Sequence, residues 1–229
     1  MPEFTPTDWQ AMLLSAQVAV TATLLALPFG FVAAYLLAFT RLPGKSLFDG
    51  IVNLPLVLPP VVVGYLLLLL FGNHGWLGHL FKSLGIQIIF TWKAAVLASM
   101  VVGFPLLVRS IRLGMEQIDE KLIQASRTLG AHWYDTLFSI ILPLSGRAIF
   151  AGATLMFARS LGEFGATIII AGNIPGVTQT IPLAIYDYTS TPGGDRMALG
   201  LCLVSVLLAL SVLLINDGLL KRFDHKRQR

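Results

Sequence analysis

Few residues inside the apolar segments of this chain could hold charge or exchange protons, and Arg159 and Glu163 are the clearest of them. They stand four apart, so on a helix they share a face. An ionisable side chain within a bilayer is costly, and it faces a partner or a wet cavity. The pair therefore has two readings: an internal ion pair that fixes helix packing, or a contact on the path of an anion with Arg159 supplying positive potential. Other combinations fail on inspection. Gly44-Lys-Ser46 echoes the end of a phosphate-binding loop, but Phe39 stands where that loop needs its first glycine. Ala158-Arg-Ser-Leu-Gly162 has alanine where a nucleophile elbow needs glycine, and no strand precedes it. His74, His79, His132 and His225 are scattered in polar segments and Cys202 is the single cysteine, so neither a metal site nor a disulfide is expected. With no convergent catalytic set, the chain is expected to have no catalytic residues, no cofactor and no enzymatic activity of its own.

The composition says what must position that pair. Of 229 residues, 55% are hydrophobic and 12% charged. Soluble domains carry about 25% charged residues and 45–50% apolar ones. Even large soluble domains bury only about 70–75% of the surface their chains expose, so this composition excludes an ordinary soluble enzyme. The expected fold class is an all-α polytopic membrane protein. The formal net charge of +4 is basic, but the cations flank apolar segments and form no stripe, so no nucleic-acid partner is expected. The N-terminal segment Met1–Asp8 is acidic where a cleaved signal peptide would be positive.

A spanning helix needs about 20 mostly apolar residues. Five stretches qualify, at about 12–39, 51–71, 93–113, 147–171 and 197–219, and together they make residues 1–229 one transmembrane domain. The segment 77–91, with Phe81, Leu84, Ile86, Ile88 and Ile89, is the one place for a partial sixth crossing. Lysine and arginine favour the cytoplasmic side. Arg41 and Lys45, then Arg109, Arg112, Lys121, Arg127 and Arg147, then Lys221, Arg222, Lys226, Arg227 and Arg229 fall on one side of a five-span arrangement. This predicts a plasma (inner) membrane protein with its N-terminus outside and its C-terminus in the cytoplasm. Pro55, Pro59 and Pro60 predict a bent or late-starting second span, or a broken helix beside a conduction path. Ala95, Ser99 and Gly103 predict a face for close helix packing.

The segment 114–146 is longer than an ordinary connection. Asp119 is placed to cap a helix from Glu120, with Leu122, Ala125 and Leu129 on one face and Gly130 suited to the turn that ends it. Trp133, Leu137, Ile140 and Ile141 mark a second amphipathic helix, expected to end at Pro143. An exposed apolar face here calls for a cytoplasmic partner or the membrane surface.

Gln124-Ala-Ser-Arg-Thr-Leu-Gly130, followed after nine residues by Ile140-Ile-Leu-Pro143, resembles the EAA loop of ABC-importer permeases. The signature reads Glu-Ala-Ala, three residues, Gly, nine residues, Ile, any residue, Leu-Pro. Gln124 replaces the usual Glu and Ser126 the second Ala. The resemblance implies that Gln124, Ala125, Ser126, Gly130, Ile140, Leu142 and Pro143 belong to a coupling loop seated in an ATPase subunit. Phe157–Thr167, Gly172-Asn-Ile-Pro-Gly176 and Thr180-Ile-Pro182 resemble the molybdate and sulfate permeases. Leu54–Tyr65 and Thr191-Pro-Gly-Gly194 are similar to the molybdate branch in particular. The resemblance implies a homodimer in membrane lipid, two ATP-binding subunits and an external substrate-binding protein, with molybdate (or tungstate) as cargo.

Two other functions stay open at the level of sequence. One is the same machine for sulfate or thiosulfate. The other is an ion-coupled secondary transporter, which would show more buried carboxylates and two matched halves. Here Glu163 is nearly alone, no repeat is visible, and the loop would have no purpose.

Overall fold

In lipid, backbone N–H and C=O groups must be satisfied within the chain, which confines spanning structure to helices and closed barrels. Every regular element among the described residues is helical. The computed structural model describes residues 4–40, 43–73 and 75–227. Met1–Glu3, Arg41, His74 and Arg229, used above for charge placement or metal binding, lie outside the described residues, as do the side chains of the other tail cations. The helices are α1 (Pro6–Phe39), α2 (Lys45–Val57), α3 (Pro60–Phe71), α4 (Trp76–Ser83), α5 (Trp92–Glu116), α6 (Glu120–Thr128), α7 (Trp133–Thr136), α8 (Leu142–Leu161), α9 (Gly165–Ile170), α10 (Ile181–Thr189) and α11 (Asp195–Arg227). A π-turn over Leu137–Ile141 joins α7 to α8. Four stretches, Pro6–Phe39, Trp92–Glu116, Trp133–Leu161 and Asp195–Asn216, are long and apolar enough to cross a membrane, and the bent pair α2–α3 is the fifth candidate.

α5 is the central helix, packed between α1 and α8. The spans meet through small residues and turn large ones outward. α1 buries Ala19, Ala22, Ala26, Gly30, Ala33 and Ala34, while Leu13, Leu24, Phe29 and Val32 are exposed. That arrangement suits lipid, where Leu gains nothing by hiding and small residues let backbones approach. On α5 the face of Ala95, Ser99 and Gly103 is buried as its spacing implies. A Cβ at Gly152 of α8 would lie 3.0 Å from Ser110 Cβ, and one at Gly103 would lie 3.0 Å from Met156 Cγ.

Three expectations need correction. The stretch 51–71 starts earlier, at Lys45, and carries the break its prolines predict, with α2 and α3 meeting at an angle of 114°. Leu58 precedes a proline and is extended (ψ 143°), Pro59 follows with ψ 135°, and Pro60 opens α3. α2 is tied to the far end of α5 by Asp49–Arg112 at 3.0 Å, and Arg112 also meets Glu116 at 2.7 Å. The stretch 147–171 is shifted: the helical run is Trp133–Leu161 and stops at Gly162, and α9 is a separate short helix. Pro143 does not end the second loop helix. The Leu142 N–H donates to the Leu137 carbonyl across the widened π-turn. This widening accommodates the proline ring, which would otherwise clash with the preceding turn. No sixth crossing forms over 77–91, where α4 has 8 residues and 84–90 are irregular.

α3 and α9 cross with their backbones in contact. A Cβ on Gly64 would lie 2.8 Å from Ala166 Cα and 2.7 Å from its carbonyl oxygen. Gly64→Ala is therefore expected to lower the melting temperature of the detergent-purified protein, at a cost of about 1–3 kcal/mol. Gly50→Ala, in the middle of α2 with nothing within 4 Å of its added Cβ, should instead be neutral or raise stability by up to about 1 kcal/mol. Equal melting temperatures for the two variants would contradict this close crossing.

Candidate functional site

The two helix interruptions lie against each other. Break one is Leu58–Pro59, between α2 and α3. Break two is Gly162–Phe164, between α8 and α9. Besides the Gly64–Ala166 contact, a Cβ on Gly165 would lie 2.9 Å from Pro60 Cβ. Glycine is required at both positions because the opposing atoms belong to backbone or to a rigid proline ring.

Glu163 sits in the second break. It lies beyond the end of α8, so it does not share a continuous helix with Arg159 as the spacing alone suggests. The turn still brings the two together: Arg159 Nη1 is 2.7 Å from Glu163 Oε2. The contact is close but poorly directed, and Oε2 accepts no well-aligned hydrogen bond. The other oxygen, Oε1, accepts the Ala166 N–H at 2.8 Å and so satisfies one of the free donors at the start of α9. The Glu163 side chain is 2% exposed and that of Arg159 is 30% exposed. The carboxylate is thus the fixed, buried member of the pair and the guanidinium the accessible one.

The second candidate site is the loop between α5 and α8. Asp119 caps α6 by accepting the Lys121 N–H at 2.9 Å. Gly130 adopts φ +85°, a left-handed conformation that favours glycine. The Ser126 and Thr136 hydroxyls are 2.9 Å apart and link α6 to α7. Gln124 and Ala125 are exposed, Ile140 and Leu142 are half-buried, and Pro143 is exposed. α6 buries no residue. Leu122, Leu129, Trp133, Tyr134 and Phe138 are all exposed, Leu129 at 87%. A groove of about 560 Å³ between α5 and α8 is lined by Ser110, Gly114, Arg147 and Ala148 and reaches Asp119 and Leu122 at the start of α6. The loop set and the Arg159–Glu163 pair are not adjacent. Pro143, the member of the loop set nearest along the run Trp133–Leu161, is 16 residues before Arg159, roughly 24 Å at about 1.5 Å per residue.

Sequence reasoning missed two arrangements. One is the Asp49–Arg112–Glu116 network, in which Arg112 had counted only as a topological charge. The other is at the opposite end of the spans. Asp8 is 2% exposed and accepts from the Tyr188 hydroxyl at 3.0 Å, while Ser15 Oγ accepts the Ile181 N–H at 2.8 Å. Burial, aided by the Asp8 charge, pushes the Tyr188 phenol above its ordinary value, so it stays protonated and remains the donor; a hydrogen bond with Thr5 opposes the shift. The reciprocal Thr5–Asp8 cap was the available signal: the Thr5 N–H donates to Asp8 at 2.7 Å.

The asymmetric burial of the pair sets its response to mutation. Arg159→Ala leaves a buried carboxylate without its counter-charge, a change costing about 3–5 kcal/mol when burial is complete. Glu163→Ala leaves a cation that reaches partial exposure, so it should cost less. Removing both should harm folding and complex yield less than Arg159→Ala alone. A thermal-stability cycle on the three variants checks this, and additive effects would show that the residues do not interact.

The family model described as "Binding-protein-dependent transport system inner membrane component" matches residues 26–229. The Molybdenum transport system permease protein ModB of Escherichia coli K12 is 52% identical over 216 residues, covering 94% of each chain. The Sulfate transport system permease protein CysW of Synechococcus elongatus is 38% identical over 178 residues, covering 78% of this chain and 62% of that one. Among solved structures, the inward-facing MetNI methionine ABC transporter superposes with a TM-score of 0.71 at 18% identity, covering 96% of this chain and 99% of that one. At that identity it shows a shared fold.

Proposed function

The chain belongs to the family of inner membrane components of binding-protein-dependent transport systems, and we propose that within it the chain is the permease subunit of an ATP-driven importer of molybdate. The observation that carries this reading is the higher and more extensive identity to the molybdenum permease than to the sulfate permease.

In this reading two copies of the chain line the path. Two ATP-binding subunits dock on the exposed faces of α6 and α7, and a substrate-binding protein delivers the anion from outside. ATP hydrolysis belongs to the docked subunits, since the chain offers no phosphate-binding loop of its own. The apolar, exposed surface of Leu122, Leu129, Trp133 and Phe138 supports a partner at that position. The cations of the loop and tail support a cytoplasmic placement for both, with the N-terminus outside. Arg159 is the clearest fixed positive charge inside a span, which suits conduction: a site that held a dianion tightly would not release it. Selectivity then rests mainly with the binding protein.

Gly130 tests the docking surface. Its conformation is left-handed and nothing lies within 4 Å of an added Cβ, so Gly130→Val strains the backbone without creating a clash. The strain of a β-branched residue there is of order 1–3 kcal/mol. The expected outcome is normal membrane insertion with weakened co-purification of the ATP-binding subunits and lost transport. Wild-type transport by this variant would remove the loop from the coupling role. Substrate is tested by uptake under molybdenum starvation. Deleting the subunit should abolish high-affinity molybdate uptake and spare sulfate uptake, and the reverse result would make sulfate the cargo.

A further inference from the structure

Three buried polar atoms near the second break have no hydrogen-bond partner: Ser99 Oγ, Ser160 Oγ and Glu163 Oε2. The residues are 1%, 6% and 3% exposed. The helical register puts the two serines on one seam. α5 and α8 run antiparallel, with Gly114 against Ala148, Gly152 against Leu107 and Ser110, and Gly103 against Met156. One further turn along this seam brings Ser99, four before Gly103, opposite Ser160, four after Met156. Glu163 follows on the next turn, where its N–H donates to the Ser160 carbonyl at 3.2 Å.

Buried polar groups are nearly always satisfied, and a buried water with two to four partners is the usual means where side chains do not meet directly. Each serine hydroxyl brings one donor, and Oε2 is an acceptor. A single water among the three atoms would satisfy all of them. Chemistry gives this arrangement a purpose. Glu163 Oε1 is already held by the Ala166 N–H, so Oε2 depends on Arg159. If Arg159 turned toward an anion on its exposed side, Oε2 would be stranded in a low-dielectric seam unless other donors replaced it.

We propose that Ser99 and Ser160, bridged by one buried water, are reserve donors to Glu163 that release Arg159 toward the passing dianion. The serines are positioning residues acting through the pair, and the proposal rests on the permease reading given above.

The test uses the complete complex in proteoliposomes, with molybdate-loaded binding protein and ATP, and reads turnover and the half-saturating concentration of loaded binding protein. In the wild-type background, Ser99→Ala/Ser160→Ala should lower turnover about tenfold, the loss of one charge-assisted hydrogen bond, with half-saturation unchanged. In a Glu163→Gln background no buried charge needs reserve donors, so the same two changes should alter turnover less than about twofold. Wild-type turnover kept within about twofold by the double variant overturns the proposal. An equal loss in both backgrounds also overturns it, because the serines would then serve packing alone. If the double variant does not assemble, Ser160→Ala is read in the same two backgrounds by the same criteria. Molybdate transport absent from the unmodified complex would overturn the permease reading itself, an outcome separate from any effect of the serines.

Discussion

The structure depends on a single constraint: a helix that breaks inside lipid must have its exposed backbone satisfied by protein. This chain breaks one of its spans, at Leu58–Pro59, and ends another at Gly162, where Gly162–Phe164 leads into the short helix α9. Either interruption facing lipid would leave carbonyls and amides unpaired at several kcal/mol each. They are tolerated because each covers the other, through Gly64 on Ala166 and Gly165 on Pro60. Glu163 extends the same solution by accepting an amide at the start of α9. A charged residue in a span is therefore first a consequence of the break. Arg159 follows from Glu163, since a buried carboxylate needs a counter-charge. The part of Arg159 that still reaches solvent is what the proposed permease reading assigns to the anion path.

The rest of the bundle solves the complementary problem of holding helices together where burying leucine brings no gain. α1, α5 and α8 do it with glycine and alanine seams, so their packing energy comes from close backbone approach and dispersion. α11 differs. Leu203, Val206, Leu207, Leu210, Leu213 and Leu214 are all exposed. Its polar anchor to the bundle is Thr154 Oγ1 donating to Asn216 Oδ1 at 3.0 Å. A helix so apolar and so little covered requires lipid or another protein along most of its length.

Much of this was legible in the sequence, and the parts that were not share a cause. The span count, the capping of α6 by Asp119 and the left-handed Gly130 follow from local rules: apolar length, an aspartate before a helix, a glycine after one. The burial of Ala95, Ser99 and Gly103 follows from spacing. A bend or break at the prolines of the second span did follow, but its angle of 114° and the interruption at Gly162–Phe164 did not. Hydropathy cannot distinguish one continuous span from two helices at 114°, because an apolar residue counts the same on either side of a bend. Pro59-Pro60 announced a disturbance without fixing its size. Pro143 misled in the opposite direction: proline normally marks a helix end, but the π-turn absorbed it. Gly162 carried the signal for the true end of α8, masked by the apolar residues that resume at Phe164. Long-range pairs such as Asp49–Arg112 and Asp8–Tyr188, separated by 63 and 180 residues, have no local signature.

The run Trp133–Leu161 ties these features into one mechanical argument. It begins at the exposed aromatic face of the loop and ends one residue before the break that holds Glu163. α7, the π-turn and α8 are continuous, so in the permease reading proposed above they are the link between the loop and Arg159. Neighbouring α5 resists sideways motion, since Gly152 and Gly103 leave no slack in the seam. Rotation or tilt of α8 is thus opposed along the glycine seam and least opposed at its two ends. At one end is the π-turn, where the Leu142 N–H reaches back five residues and the helical ladder is already widened. At the other is Gly162, after which the chain leaves the helix. A rigid rod bounded by two adjustable joints can carry a push from the loop to the buried pair without unpacking the bundle. The contact it would disturb first is the poorly directed one between Arg159 and Glu163 Oε2, because Oε1 is fastened to α9 and moves with it.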